Sequence, residues 1–163
     1  MKTIISLLLF LLLPLMAAGT GEPGDVERGK AHFETGFYRL TPEHRAAEAA
    51  REYALAVQAF KRAIAADPEN EAAFRALARV YEVQQRPAEA AAAYKKVIAL
   101  NPGDVDVYLF AALALAESRQ YTEAIETLRA AKGYTGEEGA LKKIDGYILK
   151  IETHMKEEVS HAK

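Results

Sequence analysis

The side chains able to do chemistry are few and scattered. There are four histidines, His32, His44, His154 and His161. None stands with another histidine or with carboxylates in a metal-ligating frame. His154 and Glu158 can share a helix face, but one such pair in a charged segment is an ordinary surface arrangement. The absence of cysteine excludes disulfides, thiolate metal sites, a cysteine nucleophile and an N-terminal lipid-modified cysteine. Ser118 and Ser160, the serines beyond Ser6, lie in no nucleophile elbow. Neither a glycine-rich phosphate loop nor a dinucleotide fingerprint occurs. The close carboxylates Glu48 and Glu52, and Glu157 and Glu158, read as solvated charges on helix faces rather than acid–base pairs. Lys95-Lys96 and Lys142-Lys143 are short basic pairs among acidic neighbours, and the formal charge is −2, which argues against nucleic acid. These residues predict no catalysis, no metal and no cofactor.

The elements that would position any site are helical. Alanine clusters with Glu, Lys, Arg and Leu, all strong helix formers, and β-branched residues are sparse through the body of the chain. The first residues differ. Lys2 precedes an apolar run, Ile4–Leu13, broken only by Ser6; Pro14 and then Ala17-Ala18-Gly19 follow. This is the pattern of a signal peptide over residues 1–19, cleaved after Gly19, with a polar linker at 20–24. The alternative is an uncleaved membrane anchor. As helix the stretch from Ile4 to Ala18 would reach only about 22 Å, short of a hydrocarbon core of roughly 30 Å.

Residues 25–136 repeat with a period of 34. Ala56, Ala90 and Ala124 form one series, Phe60, Tyr94 and Leu128 a second, and Ala63, Val97 and Ala131 a third. Pro68 and Pro102 close successive units; Phe74 and Tyr108 open them, and Tyr81 and Leu115 follow. Phe74-x2-Leu77-Ala78-x2-Tyr81 puts large and small apolar groups on one helical face, and Ala90-x3-Tyr94-x2-Val97 supplies the facing helix. Small residues at Ala78 and Ala90 allow two backbones to approach closely. Asn101-Pro102-Gly103-Asp104 then ends the helix.

This pattern resembles the tetratricopeptide repeat, W-x2-L-G-x2-Y, A-x3-F and P over 34 residues. The unit Glu71–Asp104 is the closest match, with Phe74 in place of Trp and Ala78 in place of Gly. The third unit, from Val105 to about Glu138, lacks the closing Pro and carries Gly133 and Gly136. The first is irregular. Its second helix matches at Tyr53, Ala56, Phe60, Ala63 and Pro68, whereas Gly29, Gly36 and Phe37-Tyr38 resemble a first helix moved upstream by about four turns. Thr41-Pro42 reads as a cap and first helical residue, predicting one long second helix, Pro42 to Ala66, projecting beyond the stack. In 137–163, Leu141, Ile144, Ile148, Ile151 and Met155 make an amphipathic capping helix, with a frayed tail from Lys156.

The resemblance implies an all-α fold, a right-handed superhelical stack of helix-turn-helix repeats with a C-terminal capping helix, whose first helices line a concave groove. On that surface it places Arg75, Arg79 and Glu82 of the second unit and Leu109, Phe110 and Leu113 of the third. The helix Val105–Ala116 is apolar almost all round, so either the C-terminal helix or a partner should cover it. Arginines beside an apolar floor suit a protein or peptide segment that is both acidic and apolar. The expectation is a non-catalytic interaction module exported to an extracytoplasmic compartment, the bacterial periplasm, within an envelope assembly or secretion complex. The alternative is a self-associating structural protein that forms a homo-oligomer.

Overall fold

The computed structural model describes residues 24–161, so the expected signal peptide and nearly all of the linker lie outside the described residues. The first helix, α1 (Asp25–Glu34), runs into a π-helical turn over Thr35–Leu40; α2 (Ala46–Ala66) returns beside it. Two shorter hairpins follow, α3 (Glu71–Val83) with α4 (Pro87–Leu100) and α5 (Val105–Glu117) with α6 (Tyr121–Ala131). A 3-10 turn, Lys132–Tyr134, leads to α7 (Glu138–His161). No strand occurs among the described residues. Each helix packs chiefly on its neighbours in the chain, and α1 also reaches α3. That makes a one-dimensional stack whose core is built repeat by repeat.

Local chemistry sets the ends. Asn70 caps α3 by accepting a hydrogen bond from the Ala73 N–H at 2.9 Å, and Pro87 opens α4 where a missing N–H costs nothing. All three hairpin turns use one device. His44, Gln85 and Arg119 adopt left-handed φ angles of 56°, 54° and 62°. The next amide then donates back to a carbonyl in the helix before it: Arg45 to Leu40, Arg86 to Tyr81 and Gln120 to Leu115, at 2.9–3.0 Å.

The repeat series are core series. Ala56, Ala90 and Ala124 are wholly buried, as are Phe60, Tyr94 and Leu128 and then Ala63, Val97 and Ala131. Ala78 and Ala112 are closed off in the same way. The alanines let adjacent backbones approach, and the aromatic and branched residues fill what remains.

The first hairpin corrects two expectations. α2 begins at Ala46 rather than Pro42, because residues before it are used by the left-handed turn at His44. Thr41 does not cap α2. Its hydroxyl donates back to the Gly36 carbonyl at 2.8 Å and lies 3.1 Å from the Tyr53 hydroxyl. Nor does α2 project alone. The residue one period upstream of Pro87 is Tyr53, so α2 gains only about two turns over α4. The first helix lengthens too, to Asp25–Leu40 with its π turn. A Cβ on Gly29 would lie 2.5 Å from the Phe60 ring and one on Gly36 2.7 Å from the Tyr53 ring, so both aromatics seat directly on glycine backbone. Gly29, which faces Phe60, stands 15 residues upstream of His44, the position one period before Ala78, so the residues of the first helix are moved upstream by about four turns, as the sequence suggests.

The C-terminal helix packs on α6 through Ile144 and Ile151, both buried, with Tyr147 and Ile148 partly covered. Its tail is not frayed from Lys156. Helix continues to His161, with Arg119 reaching Glu158 at 3.5 Å and Ser160 donating to the Glu157 carbonyl.

Candidate functional site

The first helices of the hairpins, α1 with its π turn, α3 and α5, follow one another across one face of the stack. Between α1 and α3 lies an open cavity of about 550 Å³. Phe33 and Tyr38 form one side, and Ala72, Ala76, Arg75 and Arg79 the other. Alanine at 72 and 76 keeps the floor shallow enough for another chain to approach.

The two arginines differ. Arg75 donates to Glu71 at 2.5 Å and to Asp104 at 2.8 Å, tying the start of α3 to the start of α5. Its cation is already matched, and it acts as a brace. Arg79, one turn on, is exposed and makes no hydrogen bond or ion pair with any described residue; Glu82 and Tyr94 feel its charge through space. Burial raises the Glu82 carboxyl above its ordinary value, against the pull of the Tyr94 hydroxyl and Arg79. Burial likewise raises the Tyr94 hydroxyl, reinforced by the Glu82 charge.

Tyr94 carries the surface onward. Its ring stacks on Phe110 at 5.7 Å between centroids, 25° from parallel. Phe110 is 45% exposed and Leu113 38%, whereas Leu109 is only 6% exposed. Of the six residues expected on this surface, Leu109 therefore belongs to the core and supports the others from beneath. The C-terminal helix packs on α6 and leaves Phe110 and Leu113 open. The resulting strip runs from the exposed cation of Arg79 to an apolar patch at Phe110 and Leu113.

Sequence reasoning missed the α1 side. Phe33 stacks on Phe37 at 5.6 Å, and Tyr38 meets Phe37 edge-on at 5.0 Å. Phe37-Tyr38 were legible as part of a displaced first helix, but not as a wall of the groove. The pairing of Gly29 and Gly36 with Phe60 and Tyr53 was the signal that could have found them, because a helix that seats aromatics on glycine must lie antiparallel beside them.

Two sequence models of the tetratricopeptide repeat match, at residues 43–105 and 83–143. This chain belongs to the tetratricopeptide repeat family. Its solved neighbours agree in fold, a right-handed superhelical stack of such hairpins. The TPR2B-domain:pHsp70 complex of yeast Sti1 superposes with a TM-score of 0.57 at 23% identity, covering 80% of this chain and 98% of that one. The second TPR domain of human RPAP3, in complex with the HSP70 peptide SGPTIEEVD, gives 0.53 at 19%, covering 79% and 98%. The Sgt2 TPR domain from Aspergillus fumigatus gives 0.53 at 20%, covering 83% of each. No curated protein matches this tetratricopeptide repeat chain significantly.

Proposed function

We propose that this protein is a non-catalytic interaction module that takes a segment of a partner protein into the groove along α1, α3 and α5. The observation that carries the reading is Arg79, an exposed cation in no direct ion pair with a described residue, set one repeat before the exposed Leu113. A segment with an acidic residue for Arg79 and apolar side chains for Phe110 and Leu113 matches that order of groups. A buried apolar contact edged by an arginine is the usual make-up of an interface hot spot. The neighbours described as peptide complexes are consistent with this use of the fold. The N-terminal pattern favours action outside the cytoplasm, in a periplasm-like compartment, as an adaptor or scaffold within an envelope assembly.

Two measurements test the proposal. N-terminal sequencing of the exported chain should give a start at or near Thr20; Met1 retained on a membrane-bound form would replace export by anchoring. Affinity capture from the envelope fraction should recover a partner with the native protein and lose it with Arg79→Glu and with Leu113→Ser. Both variants should melt close to the native chain, because both positions are exposed. Normal folding with undiminished capture would move the site elsewhere.

A further inference from the structure

The third hairpin fills a place that the second leaves empty. Phe110 of α5 stacks on Tyr94 of α4, with 5.7 Å between ring centroids. One period upstream, α2 keeps the lower aromatic as Phe60, but α3 has Ala76 where Phe110 stands. Asp106 is likewise preceded by Ala72. The cavity of about 550 Å³ between α1 and α3 lies over this gap, because Phe60, Ala72 and Ala76 all line it. Its other wall is aromatic, Phe33 with Tyr38, and Tyr38 is 66% exposed. The second hairpin thus has the seat for a ring, and the third shows what such a seat holds.

Charge narrows the occupant. Of the charged residues around the cavity, Lys30 is matched by Glu27 at 2.9 Å, and Arg75 by Glu71 and Asp104. Those left are Glu34 on α1 and Arg79 on α3, neither in an ion pair with a described residue. They are opposite in sign and come from opposite walls, so the group that fits between them is neutral. A neutral ring among Phe33, Tyr38 and Phe60 gains more than its buried area alone.

We infer that the partner segment in the groove is anchored by an aromatic side chain, seated over Ala76 as Phe110 is seated over Tyr94. This rests on the groove reading above and adds its anchor. Arg79 is three residues beyond Ala76 and so neighbours it on the surface of α3. The segment's acidic residue therefore follows its ring, and its apolar residues for Phe110 and Leu113 come next. The order along the groove is aromatic, acidic, apolar.

The probe is N-acetyl-tryptophanamide, titrated into the 15N-labelled exported chain, with N-acetyl-leucinamide as the aliphatic control. Amide shifts should be saturable and centred on Ala72 and Ala76, and the leucine probe should bind more weakly. Ala76→Phe, which gives the second hairpin the ring that the third already carries, should weaken tryptophanamide binding about tenfold without lowering the melting temperature. Tyr38→Ala, on the opposite wall, should weaken it as well. No saturable shift at α3, equal affinity for the leucine probe, or equal affinity for both variants overturns the anchor. With a captured partner, Ala76→Phe should weaken binding about tenfold. Capture lost with Arg79→Glu and Leu113→Ser but untouched by Ala76→Phe overturns the anchor and leaves the groove standing. Capture untouched by all three removes the groove and the anchor with it. Self-association of the native chain in sedimentation, abolished by Ala76→Phe, would make the occupant a second copy and overturn a partner's ring.

Discussion

The first and second hairpins close with the same left-handed turn, at His44 and Gln85, yet the first is about two helical turns longer. In the second, alanines at 78 and 90 set the distance between helices. In the first, glycines at 29 and 36 take the Phe60 and Tyr53 rings against bare backbone. The longer hairpin also carries a π turn at Thr35–Leu40. The difference teaches that the turn and the close approach define the unit, and that helix length is adjustable around them. It also gives the first hairpin an aromatic wall, Phe33 with Phe37 and Tyr38, that the second lacks.

The largest effects should come from overfilling either kind of close approach. Gly29→Ala forces its new methyl onto the Phe60 ring, and Ala90→Leu adds bulk at a wholly buried position. Each should cost about 1–3 kcal/mol, read as a shift in the denaturation midpoint. An unchanged midpoint for Ala90→Leu would show the repeat register to be wrong. An unchanged midpoint for Gly29→Ala would dissolve the contrast between the hairpins.

A smaller effect of opposite sign tests what the hairpins share. Gln85→Gly and His44→Gly should each stabilise by up to about 1 kcal/mol, since glycine removes the left-handed penalty but adds unfolded-state entropy. Gain at Gln85 with loss at His44 would mean that the two turns are held differently.

The most local effect lies at the open end of the first hairpin. Asp25 accepts from Arg28 at 2.8 Å and from Arg62 of α2 at 3.0 Å. Hydrogen bonds from Arg28 and then Arg62 hold its carboxyl below the ordinary aspartate value. The folded state therefore keeps the charge where the unfolded chain begins to take up a proton. The resulting stabilisation is complete above the unfolded value of about 3.9 and drains away as pH falls through the folded one. Asp25→Asn should speed amide exchange in α1 at neutral pH. That difference should vanish on acidification below the ordinary aspartate range. A difference that persisted in acid would place the effect in packing rather than charge.

The second and third hairpins were legible because periodicity and residue size point the same way at Ala90, Tyr94, Val97 and their equivalents. The start of α2 was misread because Thr41-Pro42 carries a local capping signal, while the turn closing on the Leu40 carbonyl overrides it. Leu109 was read as surface because its neighbours are equally apolar, and composition does not fix helix rotation. Arg75 and Arg79 looked alike one turn apart. Only the three-dimensional position of Asp104 separates a brace from an available cation.

The central claim is that a partner lies along the first helices, across Arg79, Phe110 and Leu113. Hydrogen exchange on the captured complex tests it most directly. The account predicts added protection in α3 and α5 on partner binding, with α4 and α6 unchanged. Protection confined to α4 and α6 would put the partner on the opposite face and contradict it.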